Sequence, residues 1–371
     1  MSTTVEVDLR LDYEPVYPRS RDLGIGCIGA GFIMRDIQLV AYANAGYRVV
    51  AIASRTAAHA RAAAQLRGVP RAYDDWHELL ADPEVRVLDI AYPPDQQLPI
   101  VREACRHRDH IRGILAQKPL AMNYPEAREI VRLCREAGIA LGVNSNMRYD
   151  QSIRALRGLI AAGELGEPVV ATIDMRAIPH WQSFLRDYDR LTILNMSIHH
   201  LDAFRFLFGD PDRVFASARP DPRTQFGHRD GIAMYILEYP DGFRAAAWDD
   251  VWAGPGAGAV PDIYIRWRVE GTRGWAQGTI GWPRYPVPTP STLEFTSQRH
   301  PGVLLVPRWD RVWFPDAFEG TMAQLLRAVE DGTEPEISGE DHLRTMALVD
   351  ACYRSLEQRR SVALAEIEGA P

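Results

Sequence analysis

The chain has 371 residues, enough for two or three domains, and 46% of them are hydrophobic, which supports a sizeable core. A formal charge of -7 argues against nucleic acid as a partner, because holding phosphates requires an excess of basic side chains. No apolar run approaches the roughly 18 residues of a membrane-spanning helix, so no membrane association is expected. The first twenty residues lack the pattern of a secretion signal, and the four cysteines include no Cys-x-x-Cys pair. We therefore expect a cytoplasmic protein with free thiols.

The first half of the chain has the pattern of alternating strands and helices. Residues 1–22 are polar and aperiodic and are predicted to be a surface arm. Short apolar strands then alternate with helices, which is typical of a parallel sheet covered on both faces. The predicted strands are 23–28, 49–53, 85–91, 113–116 and 139–143, and the predicted helices are 33–41, 57–68, 76–80, 98–105 and 125–138.

The pattern changes after about residue 146. Eight of the nine tryptophans lie between Trp181 and Trp313, and strands are predicted at 169–176, 232–239, 244–249 and 263–269. Asp241-Gly242 lies between two of these strands and predicts a hairpin. Helices are predicted at 318–330 and 341–357, and the proline-rich segment 281–315 is predicted to be irregular. The fold class is therefore α/β, with a doubly wound Rossmann sheet in residues 23–147 and, in 148–371, an α+β domain with an open, mostly antiparallel sheet.

A glycine-rich turn after the first strand predicts a dinucleotide site. In Gly29-Ala30-Gly31-Phe32-Ile33-Met34, Gly29 allows a tight turn and Gly31 lets backbone amides approach a pyrophosphate. Phe32 and Ile33 then begin the helix. Met34 stands where the motif has a small residue, which predicts a wider spacing between helix and strand. A plain glycine turn is the alternative, but the order strand, turn, helix, strand favours the dinucleotide.

The end of the second strand bears on the choice of cofactor. Ser54-Arg55-Thr56 stands there without an acidic residue. An acid at this point would hold the ribose 2′-hydroxyl of NAD, whereas a guanidinium suits the 2′-phosphate of NADP. NADP is favoured over NAD. The alternative is that Arg55 stacks on the adenine and both cofactors bind.

Three further segments, with the glycine turn, carry a resemblance to a known family. They are Ala116-Gln117-Lys118-Pro119-Leu120-Ala121, Asn144-Ser145-Asn146-Met147-Arg148-Tyr149 and Asn195-Met196-Ser197-Ile198-His199-His200-Leu201-Asp202. Over about residues 23–365 the chain resembles the glucose–fructose oxidoreductase, inositol dehydrogenase and rhizopine catabolism (Gfo/Idh/MocA) family. Glu-Lys-Pro-Leu-Ala and Asp-x-x-x-His-x-x-Asp are the family's versions of the first and third segments. The resemblance implies NAD(P)-dependent oxidation or reduction of a secondary hydroxyl on a sugar, glycoside or cyclitol.

Lys118 and His199 are the predicted catalytic residues. Lys118 follows a buried strand, at the edge of the sheet where ligands bind, and its ammonium can stabilise alkoxide character. The resemblance implies this role and also a cis bond before Pro119; a surface lysine is the alternative. His199 is the expected acid or base because an imidazole titrates near neutrality. The alternative is that His199 has only a structural role, with its hydrogen bonds made within the domain interface.

Asn195 departs from the family, which usually has Asp at this position. It lies on the same helix face as His199 and can orient the imidazole or bind a substrate hydroxyl, but it cannot raise the imidazole pKa by charge. His200 points about 100° away and is the weaker candidate. Asp202 either orients His199 or faces the domain interface. No metal is predicted, because the two histidines diverge and no third ligand is apparent.

The remaining predicted contacts rest on the resemblance and on residue chemistry. The resemblance places Tyr92, Pro93 and Gln117 near the cofactor, with Gln117 in place of the family's Glu, and it places Asn144 near the carboxamide of the cofactor or the bound sugar. The predicted substrate contacts, besides Asn195 and His199, are Arg148, His180 and Trp181. For these last three, an ordinary core or interface role is an equal alternative.

The predicted partners are a small sugar, polyol or glycoside and, since the family commonly pairs its sheet faces, further copies of the chain in a homodimer or homotetramer. Two other functions remain open for such a chain. It could be a glycoside hydrolase that oxidises its substrate transiently, or a regulatory protein that only senses the cofactor.

Overall fold

Six parallel strands form the first sheet, in the order β3-β2-β1-β4-β5-β6. The computed structural model describes residues 11–177, 182–251, 263–281 and 286–369. The strands are β1 (Ile25–Ile28), β2 (Val49–Ala53), β3 (Arg71–Tyr73), β4 (Val87–Ile90), β5 (Gly113–Ala116) and β6 (Ala140–Val143). Every residue of β1, β4 and β5 is buried, as the near-continuous apolar runs predict. The strand order reverses at β1, which opens a ligand crevice at the carboxyl ends of the strands.

Helices connect these strands and cover the sheet. They are α1 (Leu39–Ala45), α2 (Ala57–Arg67), α3 (Trp76–Leu80), α4 (Pro94–Ala104) and α5 (Tyr124–Ala137). A π-helical turn, Ile33–Gln38, precedes α1 and contains the fully buried Met34. Such a turn is wider than an α-helical one, because its hydrogen bonds span five residues. The wider spacing between helix and strand that is expected at Met34 stays a prediction.

The second sheet has eight strands in the order β13-β12-β11-β7-β10-β9-β8-β14. They are β7 (Pro168–Arg176), β8 (Arg213–Arg219), β9 (Ile232–Glu238), β10 (Arg244–Asp250), β11 (Tyr264–Gly271), β12 (Gly274–Thr279), β13 (Thr292–Ser297) and β14 (Val362–Ala363). Among the described strands of this sheet, only β7 and β10 pair in parallel, so the prediction of a mostly antiparallel sheet is confirmed. The hairpin at Asp241-Gly242 joins β9 to β10, and Gly242 has a φ of +90°.

The segment 281–315 is not wholly irregular, contrary to the prediction. Thr292–Ser297 forms β13 and pairs with β12 at the end of the sheet. Its residues alternate between buried and less buried positions, a pattern that the prolines around it obscured.

Five further α-helices follow the first sheet within the described residues. They are α6 (Gln151–Ala161), α7 (Ile198–Phe208), α8 (Ala317–Asp331), α9 (Gly339–Gln358) and α10 (Ala365–Glu368). Helix α8 returns to the first sheet so closely that a Cβ on Gly113 would lie 2.8 Å from Val329. None of the helices within the described ranges is long and apolar enough to cross a membrane. We propose a domain boundary at residue 147, because it separates the strands of the first sheet from those of the second.

The N-terminal arm is packed against the body of the protein from residue 11 onward. The Tyr17 hydroxyl donates to Glu319 Oε2 over 2.7 Å, and the Tyr13 ring lies 5.5 Å from that of Trp309. The arm therefore covers the segment that leads into α8.

Candidate active site

A cavity of about 360 Å³ lies where the carboxyl ends of the parallel strands face helix α7, and its size is typical of a ligand pocket. Nine of the residues predicted from the sequence line it: Gly31, Phe32, Ile33, Tyr92, Pro93, Gln117, Lys118, Asn195 and His199. The first seven follow β1, β4 and β5, whereas Asn195 lies just before α7 and His199 lies in its first turn. The fold therefore brings the glycine turn and both candidate catalytic residues to one cavity.

The glycine turn is shaped to accept a dinucleotide. Gly29 has a φ of +111°, and a Cβ there would lie 2.6 Å from the carbonyl oxygen of Ala91. A Cβ on Gly31 would meet nothing within 4 Å, so the backbone beside the cavity is open to a ligand. The two glycines thus fit the roles of tight turn and close approach to a pyrophosphate.

Lys118 is held at the edge of β5 by the loop around it and by α7. The bond between Lys118 and Pro119 is cis, as the resemblance implies. The amide of Gln97 accepts from the N–H of Gln117 and donates to the carbonyl of Pro119, which fixes the loop on both sides of the lysine. Lys118 Nζ donates to the backbone carbonyl of Asn195 over 2.7 Å.

A second π-helical turn, Ile193–Ser197, contains that carbonyl and runs directly into α7. A π turn changes the regular hydrogen bonding of a helix, and such turns recur at functional sites. Here the backbone of residue 195, and not its side chain, holds the lysine. This leaves the side-chain amide of Asn195 to face the cavity, where its Nδ2 lies 3.4 Å from Gln182 Oε1.

Burial sets the protonation of the two candidate catalytic groups. It lowers the pKa of Lys118 from 10.5 to about 7, because the charged ammonium loses its hydration. Burial also lowers the pKa of His199 well below 6.5, and the neighbouring charges of Lys118, His200 and His342 lower it further. The expectation that the imidazole titrates near neutrality is therefore wrong: the lysine titrates there, and the imidazole is neutral.

The polar neighbours of His199 in the sequence point elsewhere. His200 Nδ1 lies 2.9 Å from Asp249 Oδ1, and both side chains are fully buried. Asp202 accepts two hydrogen bonds of 2.7 Å from Arg148, so its carboxylate belongs to that ion pair and does not orient His199. No cluster of three or more His, Cys, Asp or Glu side chains within the described ranges is arranged to hold a metal ion.

Some predicted residues do not line the cavity. Arg148 is buried and pairs with Asp202 and with Asp341 at 2.5 Å, so it supports the fold beneath the site and does not reach into the cavity. Asn144 is fully buried, and neither side-chain polar atom has a hydrogen-bond partner within the described part of the chain. His180 and Trp181 lie outside the described residues.

The residues at the end of β2 lie outside the cavity. Ser54 is buried and Arg55 is exposed, and the backbone N–H of Arg55 donates to the Tyr92 hydroxyl over 3.0 Å. Tyr92 also lines the cavity. Its side chain therefore connects the cavity to the end of β2, where the ribose of a dinucleotide would lie.

Several lining residues were missed by the sequence analysis. Asn146, Trp313, Phe314 and Phe318 line the cavity, and Trp313 Nε1 donates to Asn146 Oδ1 over 3.0 Å. In the sequence, Asn146 stands out only as one member of a motif, and the aromatic residues lie in or beside the segment predicted to be irregular. The concentration of tryptophans was the one signal that pointed to this region.

Comparison with known proteins identifies the family. Residues 23–145 match the model of an oxidoreductase family with an NAD-binding Rossmann fold, and residues 153–277 match a Gfo/Idh/MocA C-terminal domain.

Similar proteins span nearly the whole chain. The D-apiose dehydrogenase of Paraburkholderia graminis is 27% identical over 92% of this chain and 89% of its own length. The 1,5-anhydro-D-fructose reductase of Ensifer adhaerens is 28% identical over 87% and 92% of the two chains. An oxidoreductase from Agrobacterium radiobacter, solved in complex with NAD+, L-tartaric acid and magnesium, is 25% identical with a TM-score of 0.79, covering 93% of this chain and 99% of its own. The chain belongs to the Gfo/Idh/MocA family of NAD-binding oxidoreductases.

Proposed function

We propose that this oxidoreductase interconverts a secondary hydroxyl and a ketone on a sugar, glycoside or cyclitol, with NADP(H) as the preferred cofactor. The observation that carries the proposal is the meeting of Lys118 and His199 in one cavity beside the glycine turn. The nicotinamide supplies or takes up the hydride when it is bound. The protein's own residues then have to bind and orient the substrate and exchange a proton with it.

The proton transfer is assigned to Lys118. A group with a pKa of about 7 is well matched to a reaction near neutral pH, because both of its protonation states are populated there. In the oxidation, neutral Lys118 accepts the proton of the substrate hydroxyl. In the reduction, the ammonium returns a proton to the carbonyl oxygen. The carbonyl of Asn195, 2.7 Å from Nζ, holds the lysine in place in both directions.

His199 is assigned a hydrogen-bonding role at the same oxygen. Because its pKa lies well below the usual range, the ring is neutral and has one N–H donor and one acceptor nitrogen. A neutral imidazole can orient the substrate hydroxyl without competing with Lys118 for the proton. Asn195 supplies an uncharged amide beside it and is proposed to contact the substrate.

Three observations support the substrate class and the cofactor preference. The two relatives described above are named for reactions of sugars and are 27% and 28% identical to this chain. The cavity combines aromatic side chains with amides, a combination that suits the apolar faces and the hydroxyls of a sugar ring. The exposed Arg55, beside Ser54 and without a neighbouring acid, suits the 2′-phosphate of NADP.

The test is a panel of neutral sugars, glycosides and cyclitols with NAD(P)+, and the corresponding ketones with NAD(P)H, read by the absorbance of the reduced nicotinamide. Turnover of at least one pair supports the proposal. Release of a free aglycone without net formation of reduced cofactor would instead indicate a glycoside hydrolase. Cofactor binding without turnover of any compound would indicate a regulatory protein.

A homodimer or homotetramer and a cytoplasmic location are also proposed. Phe215 lies opposite Ile236 on neighbouring strands, Met234 follows on the same face, and all three are exposed. Such an apolar sheet face is suited to a second copy of the chain. All four cysteines are free, in keeping with a reducing compartment. Sedimentation of the purified protein tests the first proposal, and a monomer at micromolar concentration would refute it.

A further inference from the structure

We propose that Trp313 is a positioning residue that fixes Asn146 as a hydrogen-bond donor to the substrate. This inference deepens the proposed function and rests on it. Both residues line the cavity, and neither belongs to the motifs that carry the proton chemistry.

The orientation of the Asn146 amide follows from its two neighbours. Trp313 Nε1–H is only a donor, and it lies 3.0 Å from Asn146 Oδ1. The amide nitrogen, Nδ2, donates to the backbone carbonyl of Asn144 over 3.2 Å. An amide nitrogen has two hydrogens, so one N–H remains. Because Asn146 is otherwise buried and borders the cavity, this remaining N–H is the group that it offers to a ligand oxygen.

Trp313 itself is fixed by contacts that do not depend on its indole N–H. It is 1% exposed, and its ring packs edge-on against His199 at 5.9 Å and at a tilt of 46° against Phe314 at 4.6 Å. Arg311, two residues earlier, pairs with Glu319 on α8 at 2.6 Å. Replacing the indole by a smaller aromatic ring should therefore preserve the fold while it releases the Asn146 amide.

The chain contains a matched control in Trp309. This tryptophan lies four residues earlier on the same segment and is also buried, but its Nε1 has no hydrogen-bond partner within the described residues. It packs against the arm at Tyr13 and does not line the cavity. Trp309→Phe thus makes the same chemical change without releasing any amide.

The experiment is a double-mutant cycle measured with the best substrate of the panel. Trp313→Phe is expected to raise KM about 3- to 10-fold with kcat within about twofold, the scale of one net hydrogen bond that is equally strong in ground and transition states. Trp309→Phe should leave both constants unchanged. In an Asn146→Ala background, Trp313→Phe should have no further effect on KM, because residues that act through one contact are not additive.

An unchanged KM in Trp313→Phe, or an equal added loss in the Asn146→Ala background, would overturn the inference. If Trp313→Phe does not fold, Asn146→Asp decides, because it keeps an acceptor for the indole and lacks the donor: a raised KM supports the inference and an unchanged KM overturns it. If the wild-type protein turns over no compound with either cofactor, the proposed function fails and this inference fails with it. Wild-type turnover with an unaffected Trp313→Phe refutes the inference alone.

Discussion

Asn195→Asp should move the acidic limb of the pH profile of oxidation to higher pH. That limb is assigned to Lys118, whose pKa burial lowers to about 7. Lys118 Nζ lies 2.7 Å from the backbone carbonyl oxygen of residue 195, and both side chains line the same cavity, so a carboxylate at this position shares the cavity with the ammonium. At about 4 Å the attraction is about 1 kcal/mol in water and about 4 kcal/mol near a protein surface. At about 1.4 kcal/mol for each pKa unit, the pKa of Lys118 should rise by about one to three units.

The assay is kcat/KM for oxidation across the pH range, in a buffer of constant ionic strength. A rise of one unit lowers the neutral fraction of Lys118 near pH 7 from about a half to about a tenth, so oxidation should slow about fivefold there. Reduction uses the ammonium, and its alkaline limb should also move upward, so reduction should persist to higher pH. Asn195→Ala is the matched control, since it removes the amide without adding charge. An unmoved limb in Asn195→Asp would refute the assignment and leave Asn195 as a substrate-specificity residue.

Two further predictions concern the site. Lys118→Met and His199→Ala should each lower kcat by about 10²-fold or more while cofactor affinity, measured by calorimetry, stays nearly constant; wild-type turnover in either variant would remove that residue from the mechanism. Arg55→Ala should weaken NADP binding by about 1.5–3 kcal/mol, the range for hydrogen bonds to charged groups, and barely change NAD binding. Equal losses for the two cofactors in the same titrations would indicate that Arg55 stacks on the adenine.

The sequence predicted many of the strands in which a buried run or an alternation of buried and exposed residues extends over several positions. Strands β1, β4 and β5 are buried on both sides and therefore appear as apolar runs. Strand β3 has three partly buried residues and β14 has two, too few for any period to appear. Their places in the sheets are set by neighbouring strands, and this information is not local in the sequence.

The same distinction applies to the site. Gly31 and Lys118 follow strands directly, so a local motif places them at the carboxyl edge of the sheet. Trp313 reaches the cavity only because α8 packs back on the first sheet, and no local pattern encodes that approach. The protonation of Lys118 and His199 was likewise beyond sequence reasoning, because it depends on burial in the assembled cavity.

Asp89 offers a separate test of how buried groups support the dinucleotide fold. It lies in β4 beneath the helix that follows the glycine turn, and it accepts hydrogen bonds from Tyr42 at 2.5 Å and from Gln38 Nε2 at 2.6 Å. Burial nevertheless raises its pKa from 3.8 to about 7. The folded state therefore binds the proton more tightly than the unfolded state does. The contribution of Asp89 to stability is greatest below about pH 4 and is lost as the pH rises toward 7.

Asp89→Asn removes this titration and keeps the shape of the side chain. Gln38 Oε1 has no hydrogen-bond partner within the described residues, so a turn of the Gln38 amide lets it accept from the new amide. The cost of ionising Asp89 in the folded state corresponds to at most about 4 kcal/mol at about 1.4 kcal/mol for each pKa unit. Relative to wild type, the variant should therefore gain stability between pH 5 and pH 8, by more than about 1 kcal/mol and less than that limit. Urea unfolding at the two pH values measures the difference. If the stability difference between variant and wild type is the same at both, Asp89 is ionised in the folded protein throughout, and the two hydrogen bonds outweigh its burial.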